Sequence, residues 1–368
     1  MIKYLIIGSG LSGSVVAEQL ASKGNCKIII LEERNHIGGN CYTEQDKGTG
    51  ITSHIYGPHI FNTNNVEVWN YVNRFCKMIP YINRVKTIYN DQVYSMPINL
   101  HTINQFYKKR LNPDEAKEFI KNVACSTINE PKNFEEQAIK FIGHDLYKAF
   151  FYGYTKKQWG CEPKELPASI LKRLPIRFNY DDNYYTSLYQ GIPKNGYTDV
   201  FKRMLNNPNI EIRLNTKFDE NFDTSDFEHI FYTGPIDSFF NYKYGRLGYR
   251  TVYFERGETI GDYQGNAVIN YANIDVPYTR IHEHKHFTPW EQFDKTIYFK
   301  EYSKETTNKD IPFYPKRLRE DMEKLKLYED DVKRLSRFTF LGRLATYKYM
   351  NMDHVIEEAL HVVKNIKL

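Results

Sequence analysis

The chain has 368 residues, of which 26% are charged and 41% hydrophobic, and its formal net charge is +5. This is the composition of a globular protein, and without a block of like charges it argues against a nucleic-acid partner. No apolar run approaches the roughly 20 residues that span a bilayer, so we expect a cytoplasmic protein without a membrane partner. The five cysteines show no C-x-x-C spacing, which argues against a disulfide framework and a zinc site, and we predict no bound metal.

The N-terminal residues predict a strand, a helix and a second strand. Residues 4–7 and 27–31 are apolar runs typical of buried strands, and residues 11–22 have helical periodicity. The motif GSGLSG at residues 8–13 lies between the first strand and the helix, the context in which G-x-G-x-x-G binds a dinucleotide. Glu32 ends the second strand, where an acid can accept hydrogen bonds from ribose hydroxyls. A glycine-rich turn without a ligand is the alternative.

NAD and FAD both fit that unit, and two further stretches favour FAD. Residues 32–40 resemble the Arg-x-x-x-Gly-Gly extension of flavoproteins, whose glycines let the backbone run close to the flavin diphosphate. Near the C-terminus, Gly342 and Arg343 follow a predicted strand and resemble the second FAD contact of that class. An ordinary strand-to-helix turn is the alternative for either stretch alone. The sequence has no second G-x-G-x-x-G motif, so we predict no separate NADPH site.

The remaining elements follow in chain order. The pattern is helical from about residue 97 to 160, with helices that start at Asn112-Pro113 and cover residues 134–142 and 146–154. Further strands are predicted at residues 210–214, 229–232, 251–255, 267–271, 296–302 and 338–342, and further helices at 318–327 and 354–363. Residues 166–177 and 184–193 are less regular.

This order predicts an α/β fold with a Rossmann-like FAD-binding domain, an inserted helical domain and an antiparallel β-sheet domain. The FAD-binding domain is discontinuous because α/β patterns lie at both ends of the chain. We place it at residues 1–76, 200–240 and 318–368, the helical domain at 98–170, and the substrate-binding sheet at 77–97, 171–199 and 241–317.

Several short segments share one family signature. They are YGPHIF (56–61), EEQA (135–138), GYTKKQWG (153–160), KELPA (164–168), LPIRF (174–178), YQGIP (189–193), YTGP (232–235), VPYTRI (276–281) and GRL (342–344). Together they resemble the prokaryotic UDP-galactopyranose mutase family, and the resemblance extends over nearly the whole chain. None of the segments would be specific alone.

The resemblance implies an isomerase that binds FAD, is active with the flavin reduced, and interconverts UDP-galactopyranose and UDP-galactofuranose to supply furanose for cell-surface polysaccharide. In this family the flavin N5 attacks the anomeric carbon and UDP leaves. The sugar ring then opens and recloses as a flavin–sugar adduct, without net electron transfer. The resemblance also implies a homodimer whose other partner is the nucleotide-sugar substrate.

The resemblance assigns site residues as well. Arg177 and Arg280 match two pyrophosphate-binding arginines, and a guanidinium suits this role because it stays charged and can bond two oxygens. Catalytic roles are implied for Arg177, Arg280, His59, Tyr314 and Tyr349, and substrate contacts for Asn83, Phe151, Tyr154, Trp159, Tyr189, Glu301 and Asn351. The implied cofactor contacts are Gly8, Gly10, Leu11, Gly13, Glu32, Glu33, Arg34, Gly39, Asn40, Gly57, His59, Ile60, Gly342, Arg343 and Met352. An ordinary core or surface position is the alternative for each tyrosine in a chain with 30 of them. We interpret Lys172 and Arg173 as exposed charges rather than as a lid.

Three positions depart from the family pattern near the sugar end of the site. Pro58 stiffens the loop around His59, Asn62 replaces a second histidine, and Asn351 replaces an acid while keeping hydrogen-bonding capacity. UDP-galactopyranose is the plainer substrate, and dTDP-fucopyranose or UDP-N-acetylgalactopyranose is the alternative that these changes suggest. An amine-oxidase-like flavin oxidoreductase and an inactive sugar-nucleotide binder are further hypotheses.

Overall fold

The apolar runs fold as strands and the helical patterns as helices over residues 1–124, 128–173 and 176–366, the part of the chain that the computed structural model describes. Its strands are β1 (Ile2–Ile7), β2 (Cys26–Leu31), β3 (Thr43–Gln45), β4 (Thr52–His54), β5 (Phe61–Thr63), β6 (Met78–Pro80), β7 (Val85–Tyr89), β8 (Gln92–Met96), β9 (Tyr189–Pro193), β10 (Ile210–Arg213), β11 (His229–Tyr232), β12 (Tyr249–Ile260), β13 (Val268–Tyr271), β14 (Arg280–Glu283), β15 (Lys295–Glu305), β16 (Tyr314–Pro315) and β17 (Phe338–Phe340). Its helices are α1 (Leu11–Lys23), α2 (Val66–Asn73), α3 (Leu100–Tyr107), α4 (Pro113–Val123), α5 (Phe134–Leu146), α6 (Gly153–Trp159), α7 (Tyr197–Met204), α8 (Ile236–Phe239), α9 (Arg319–Val332), α10 (Gly342–Ala345) and α11 (Met352–Asn365).

A parallel five-stranded sheet in the order β10-β2-β1-β11-β17 carries the predicted dinucleotide motif. Its central strands are apolar on both faces because helices cover both, and Ile28 and Ile30 are fully buried. Helix α1 packs between this sheet and α11, so the two ends of the chain share one core. This is the predicted Rossmann-like domain, and its strands come from both ends of the chain.

A seven-stranded sheet in the order β16-β12-β15-β14-β13-β7-β8 forms the second layer. Its pairs are antiparallel except for β13 with β7, which are parallel. The long β12–β15 pair places Tyr253 opposite Tyr302, and the β14–β15 pair places Arg280 opposite Glu301. The antiparallel sheet domain is therefore present, and β14 brings the predicted Arg280 to the middle of it.

Helices α3 to α6 form the inserted helical part, whose core includes Phe134, Leu146 and Phe150. Helix α4 begins as predicted, because the Asn112 side chain accepts hydrogen bonds from Asp114 and Glu115 N–H and the Glu115 carboxylate accepts one from Asn112 N–H. Helix α5 is kinked at Gly143, and a π-helical turn (Tyr147–Tyr152) joins it to α6. Among the described residues no helix is both long and apolar enough to cross a bilayer.

The predictions failed mainly at short strands. Strands β3 to β8, β14 and β16 were not predicted, and β9 lies in a segment that we expected to be irregular. The turn between β7 and β8 is Asn90-Asp91, where both residues have positive φ, a two-residue hairpin signal in the sequence that we missed. The domain boundaries themselves stay a prediction.

Candidate active site

The glycine loop after β1 forms a groove of bare backbone. An added Cβ at Gly13 would lie 2.0 Å from the carbonyl oxygen of Gly8, and one at Gly39 would lie 2.9 Å from Cα of Gly10. Helix α1 begins at this loop, and no described side chain caps its N-terminus at Gly10. Unused N–H groups and the positive end of the helix dipole therefore line the groove at Leu11 and the residues after it, which suits a pyrophosphate.

Glu32 holds this loop in place. Its buried carboxylate accepts hydrogen bonds from Ser9 N (2.9 Å), from Ser9 Oγ (2.7 Å) and from Arg34 N (3.0 Å). The carboxylate thus shapes the groove, and its predicted contact with a ribose needs one of its remaining lone pairs. The neighbouring Glu33 is exposed at the same edge of the sheet.

Arg34 lies across the next part of the groove. Its guanidinium donates to Asn40 Oδ1 at 2.9 Å and lies 4.6 Å from the ring centroid of Tyr56. Its Nη1 is buried and has no partner among the described residues. An orphaned donor of this kind fits an anionic cofactor, because a phosphate oxygen would satisfy it.

The C-terminal turn closes the groove from the other side. Gly342 has φ +84°, and an added Cβ there would lie 2.3 Å from Ser12 Oγ, so this turn sits directly on the start of α1. Its N–H donates to Glu358 Oε2 at 2.6 Å. Met352 begins α11 and contacts the buried Cys41 through sulfur at 3.8 Å. Both predicted FAD segments therefore meet at one groove.

Arg343 connects this groove to the second sheet. Its guanidinium donates to the carbonyls of Phe313 (3.2 Å) and Met350 (2.7 Å). It also lies 5.8 Å from the ring centroid of Tyr314 and 5.2 Å from that of Tyr349. One cation thus contacts the cofactor turn and two of the predicted substrate tyrosines.

His59 lies on the loop between β4 and β5, next to the buried Ile60. Its Nδ1 is 2.8 Å from the carbonyl oxygen of Gly57, and this acceptor requires the proton to be on Nδ1. Burial lowers the pKa of His59 to about 4, and Arg343 acts in the same direction. His59 is therefore a neutral imidazole at neutral pH, with Nε2 as a lone-pair acceptor.

Arg280 is held by one carboxylate on the sheet. Its Nε–H donates to Glu301 Oε1 at 2.9 Å, and Glu301 Oε2 lies 2.8 Å from His282 Nε2. Burial acts to raise the pKa of Glu301, but Arg280 and His282 outweigh it and the pKa is lowered. Burial opposes the charge of Arg280, but Glu301 outweighs it and raises the pKa of Arg280 further. Both groups are ionised at neutral pH.

Tyrosines surround Arg280 and interact with it electrostatically: Tyr154, Tyr184, Tyr185 and Tyr314. Burial raises the pKa of each, that of Tyr314 to about 12, so all carry protonated hydroxyls that can donate to an anion. Tyr314 stacks on Tyr349 with ring centroids 6.0 Å apart.

The ring of Tyr189 stacks on that of Trp69 with ring centroids 5.3 Å apart, and its role in substrate binding stays a prediction. Tyr184 and Tyr185, which interact electrostatically with Arg280, were not singled out in the sequence analysis. The doublet lies in the segment that we expected to be irregular, where no periodic pattern identified it.

Arg177 lies on a loop that leads into these tyrosines. Its buried guanidinium bonds the carbonyls of Asp181 and Asn183 and forms an ion pair with the Asp181 carboxylate at 3.1 Å. Its Nη2 is buried without a partner among the described residues. Asn83 contacts the same loop, since its backbone carbonyl accepts a hydrogen bond from Tyr184 N–H at 2.8 Å. Its side-chain Oδ1 is buried and also has no hydrogen-bond partner among the described residues.

Helix α6 carries the predicted nucleotide residues Tyr154 and Trp159. Lys157 anchors it, because its Nζ donates to four backbone carbonyls of one turn, at 2.8 to 3.0 Å: Tyr271, Asn273, Val276 and Tyr278. Arg250 from β12 donates to the backbone carbonyls of Lys157 and Gln158 in the last turn of the same helix. The helix is thereby fixed to the turn that leads into Arg280.

The positions of the remaining predicted residues give less information about a ligand. Phe151 is buried in the helical core beside Phe134, and Trp159 packs against the same core. Asn351 is the residue before α11. Leu174 and Pro175 of the LPIRF segment lie outside the described residues, as do the side chains of Lys172 and Arg173. Roles in substrate binding stay predictions for Phe151, Trp159 and Asn351.

Together, the fold and the site define an enzyme with a Rossmann-type dinucleotide domain joined to an antiparallel sheet that carries an arginine–tyrosine anion site. Residues 149–349 match the family described as UDP-galactopyranose mutase, and residues 6–75 match an NAD(P)-binding Rossmann-like domain. The chain belongs to the UDP-galactopyranose mutase family and is an isomerase of that class.

Individual relatives support this assignment. The chain is 52% identical to dTDP-fucopyranose mutase of Escherichia coli, over 98% of this chain and 97% of that protein. It is 53% identical to a probable UDP-galactopyranose mutase of Klebsiella pneumoniae, over 97% of this chain and 92% of that protein. A crystal structure of reduced UDP-galactopyranose mutase has the same fold, with a TM-score of 0.77 at 14% identity, over 99% of this chain and 95% of that chain.

Proposed function

We propose that the protein is an FAD-dependent mutase, active with the flavin reduced, that interconverts the pyranose and furanose forms of UDP-galactose. The observation that carries this proposal is the arginine–tyrosine site beside the bare-backbone groove. Arg280 is bound to Glu301 through Nε, so its terminal nitrogens can bond a diphosphate, and four neutral tyrosine hydroxyls lie around it.

The groove fits FAD on two grounds: a Cβ would collide at Gly13 and Gly39, and Arg34 Nη1 is an orphaned donor. The residues that we propose to hold the cofactor are those predicted from the sequence: Gly8, Gly10, Leu11, Gly13, Glu32, Glu33, Arg34, Gly39, Asn40, Gly57, His59, Ile60, Gly342, Arg343 and Met352. Reduced FAD, when bound there, would supply an electron-rich N5 as a nucleophile for the anomeric carbon.

The residues of the chain have complementary tasks in that reaction. Arg280 and Arg177 hold the departing diphosphate with their guanidinium charges, which lowers the barrier to its departure and return. The hydroxyls of Tyr314 and Tyr349 donate to the same oxygens. His59, neutral with Nε2 unprotonated, can accept a hydrogen bond at the cofactor side of the site.

The second candidate substrate is dTDP-fucopyranose. It is favoured by the 52% identity to the Escherichia coli mutase that carries that name, a value that the Klebsiella pneumoniae relative exceeds by only one percentage point. Asn62 lies on β5, directly after the loop that carries His59, and its Oδ1 accepts a hydrogen bond from Ser187 Oγ at 3.0 Å. Substitutions of this kind change the sugar end of the site and leave the diphosphate end intact.

The test is a parallel assay under anaerobic conditions. The purified protein is reduced with dithionite, given UDP-galactofuranose or dTDP-fucofuranose, and the pyranose is measured by chromatography. Conversion of the first sugar supports the proposal, and conversion of only the second selects the alternative. No conversion of either furanose, with steady oxygen uptake by the oxidised enzyme, would indicate an oxidoreductase. The homodimer and the cytoplasmic location stay predictions.

A further inference from the structure

A histidine that no motif singled out lies directly behind the substrate arginine. His282 and Arg280 are two residues apart on β14, so their side chains lie on the same face of the sheet. Glu301 on β15 pairs opposite Arg280 and bridges the two: Oε1 accepts from Arg280 Nε at 2.9 Å, and Oε2 lies 2.8 Å from His282 Nε2. His282 is fully buried and Glu301 is 3% exposed.

The charges fix the direction of the second bond. Glu301 is an ionised carboxylate beside Arg280 and can only accept, so His282 must carry its proton on Nε2. Burial lowers the pKa of His282, which keeps its ring neutral and Nδ1 unprotonated. Nδ1 has no hydrogen-bond partner among the described residues. Within the described part of the chain, the imidazole of His282 is therefore hydrogen-bonded only to Glu301.

We propose that His282 is a positioning residue for nucleotide binding: its Nε2–H fixes the Glu301 carboxylate, which in turn fixes Arg280 with its terminal nitrogens directed to the diphosphate. The inference rests on the proposed function in taking a nucleoside diphosphate as the ligand. Without the imidazole, Glu301 Oε2 would be a buried charged atom without its donor. The carboxylate would then rotate to find another donor or take up a proton, and either change loosens its bond to Arg280 Nε.

The surroundings of His282 explain why an imidazole serves here. The Phe254 ring packs beside it with centroids 6.2 Å apart, and the Phe254 side chain also lies beneath Gly57 of the His59 loop. The space is therefore closed by an aromatic ring, and a flat side chain with one donor fills it. A phenylalanine would fit the same space without a donor, whereas a glutamine retains one.

The test measures UDP binding by titration calorimetry with the FAD-loaded protein. We expect His282→Phe to weaken UDP binding by about ten- to a hundredfold, as for the loss of hydrogen bonds to charged groups, and His282→Gln to recover most of it. In an Arg280→Ala background His282→Phe should cause no further loss, because no guanidinium remains to be positioned. His229→Phe, which removes a half-buried imidazole bonded to Thr339 in the other sheet, should leave UDP binding unchanged.

A second measurement reads the position of Arg280 without any ligand. In ¹H–¹⁵N spectra, the Nε–H of Arg280, assigned with an Arg280→Lys variant, should exchange slowly in the wild type and in His282→Gln, and fast in His282→Phe. Slow exchange in all three, equal loss of UDP binding in the Phe and Gln variants, or a full additional loss in the Arg280→Ala background would overturn the inference. A wild type that binds neither UDP nor dTDP would instead contradict the proposed function, while the exchange rates still decide the role of His282.

Discussion

The cofactor side and the substrate side of the candidate site are formed by different kinds of groups. The cofactor side is backbone: a glycine loop, an uncapped helix start and a glycine turn that approach each other too closely for a side chain. The substrate side is made of side chains, with Arg280, Glu301 and the surrounding tyrosines on separate strands and loops. A site made of backbone requires glycine at the positions of close approach. A site made of side chains requires the fold to bring together residues that are far apart in the sequence. Each should therefore fail in its own way when it is altered.

The largest expected effect is on the substrate side. Arg280→Ala should lower turnover by about a hundredfold or more, because the diphosphate loses a charged partner and Glu301 is left buried without it. The flavin absorbance should stay that of the wild type. Arg256→Ala, an exposed arginine with ion pairs to Asp46 and Glu258, is the matched control and should keep full activity. An Arg280→Ala enzyme with near-normal turnover would remove Arg280 from the site.

The cofactor side should respond in the opposite way. Gly13→Ala places a Cβ 2.0 Å from a backbone oxygen, so the loop must move and the purified protein should retain only a minor part of its FAD. The ratio of flavin to protein absorbance measures this. Gly48→Ala, where the nearest atom would be at 3.5 Å, should keep its FAD. A Gly13→Ala protein with its full content of FAD would show that the groove tolerates side chains. It would contradict the distinction between a cofactor side made of backbone and a substrate side made of side chains.

An intermediate effect is expected where the helical part meets the sheet. Lys157→Met removes a cation from four carbonyls and should lower the free energy of unfolding by about 2–4 kcal/mol, with a lower Tm. Because α6 then shifts against the turn before Arg280, the KM for the nucleotide sugar should rise more than kcat falls. Lys156 forms a half-exposed ion pair with Glu162, so Lys156→Met should change neither the free energy of unfolding nor the KM for the nucleotide sugar by much. Equal effects of the two substitutions would count against an anchoring role for Lys157.

The smallest effect is a pH dependence of stability. The pKa of His59 is about 4 in the folded protein and about 6.5 when unfolded, and burial lowers the pKa of His54 to about 3. Between these values the unfolded chain binds more protons, so the free energy of unfolding should decrease as the pH falls from about 6.5 towards 4. Denaturant titrations at several pH values measure the slope. His59→Asn should reduce the slope and the exposed His101→Asn should not.

The same contrast explains what could be predicted from the sequence. All strands of the parallel sheet were predicted, because its central strands β1, β2 and β11 are largely buried and are apolar runs, and the glycine motif lies in its expected context. Strand β14 was missed because the polar residues Arg280, His282 and Glu283 break the apolar pattern of a core strand. The family resemblance identified Arg280 and Glu301, but the bond from His282 to Glu301 became visible only with β15 beside β14. The role of Tyr189 stays a prediction for a similar reason, since a family match of tyrosines in a Tyr-rich segment does not fix which ring faces Arg280.

Arg343 has a consequence for engineering chimeras between relatives. It follows the glycine turn of one sheet, yet its guanidinium contacts Tyr314, a residue of the other sheet, and Tyr349. In a hybrid that takes the cofactor half from one mutase and the sugar half from another, the residues on the two sides of this contact would come from different parent proteins. We expect such hybrids to be active only when Arg343, Tyr314 and Tyr349 come from the same parent or are identical in both.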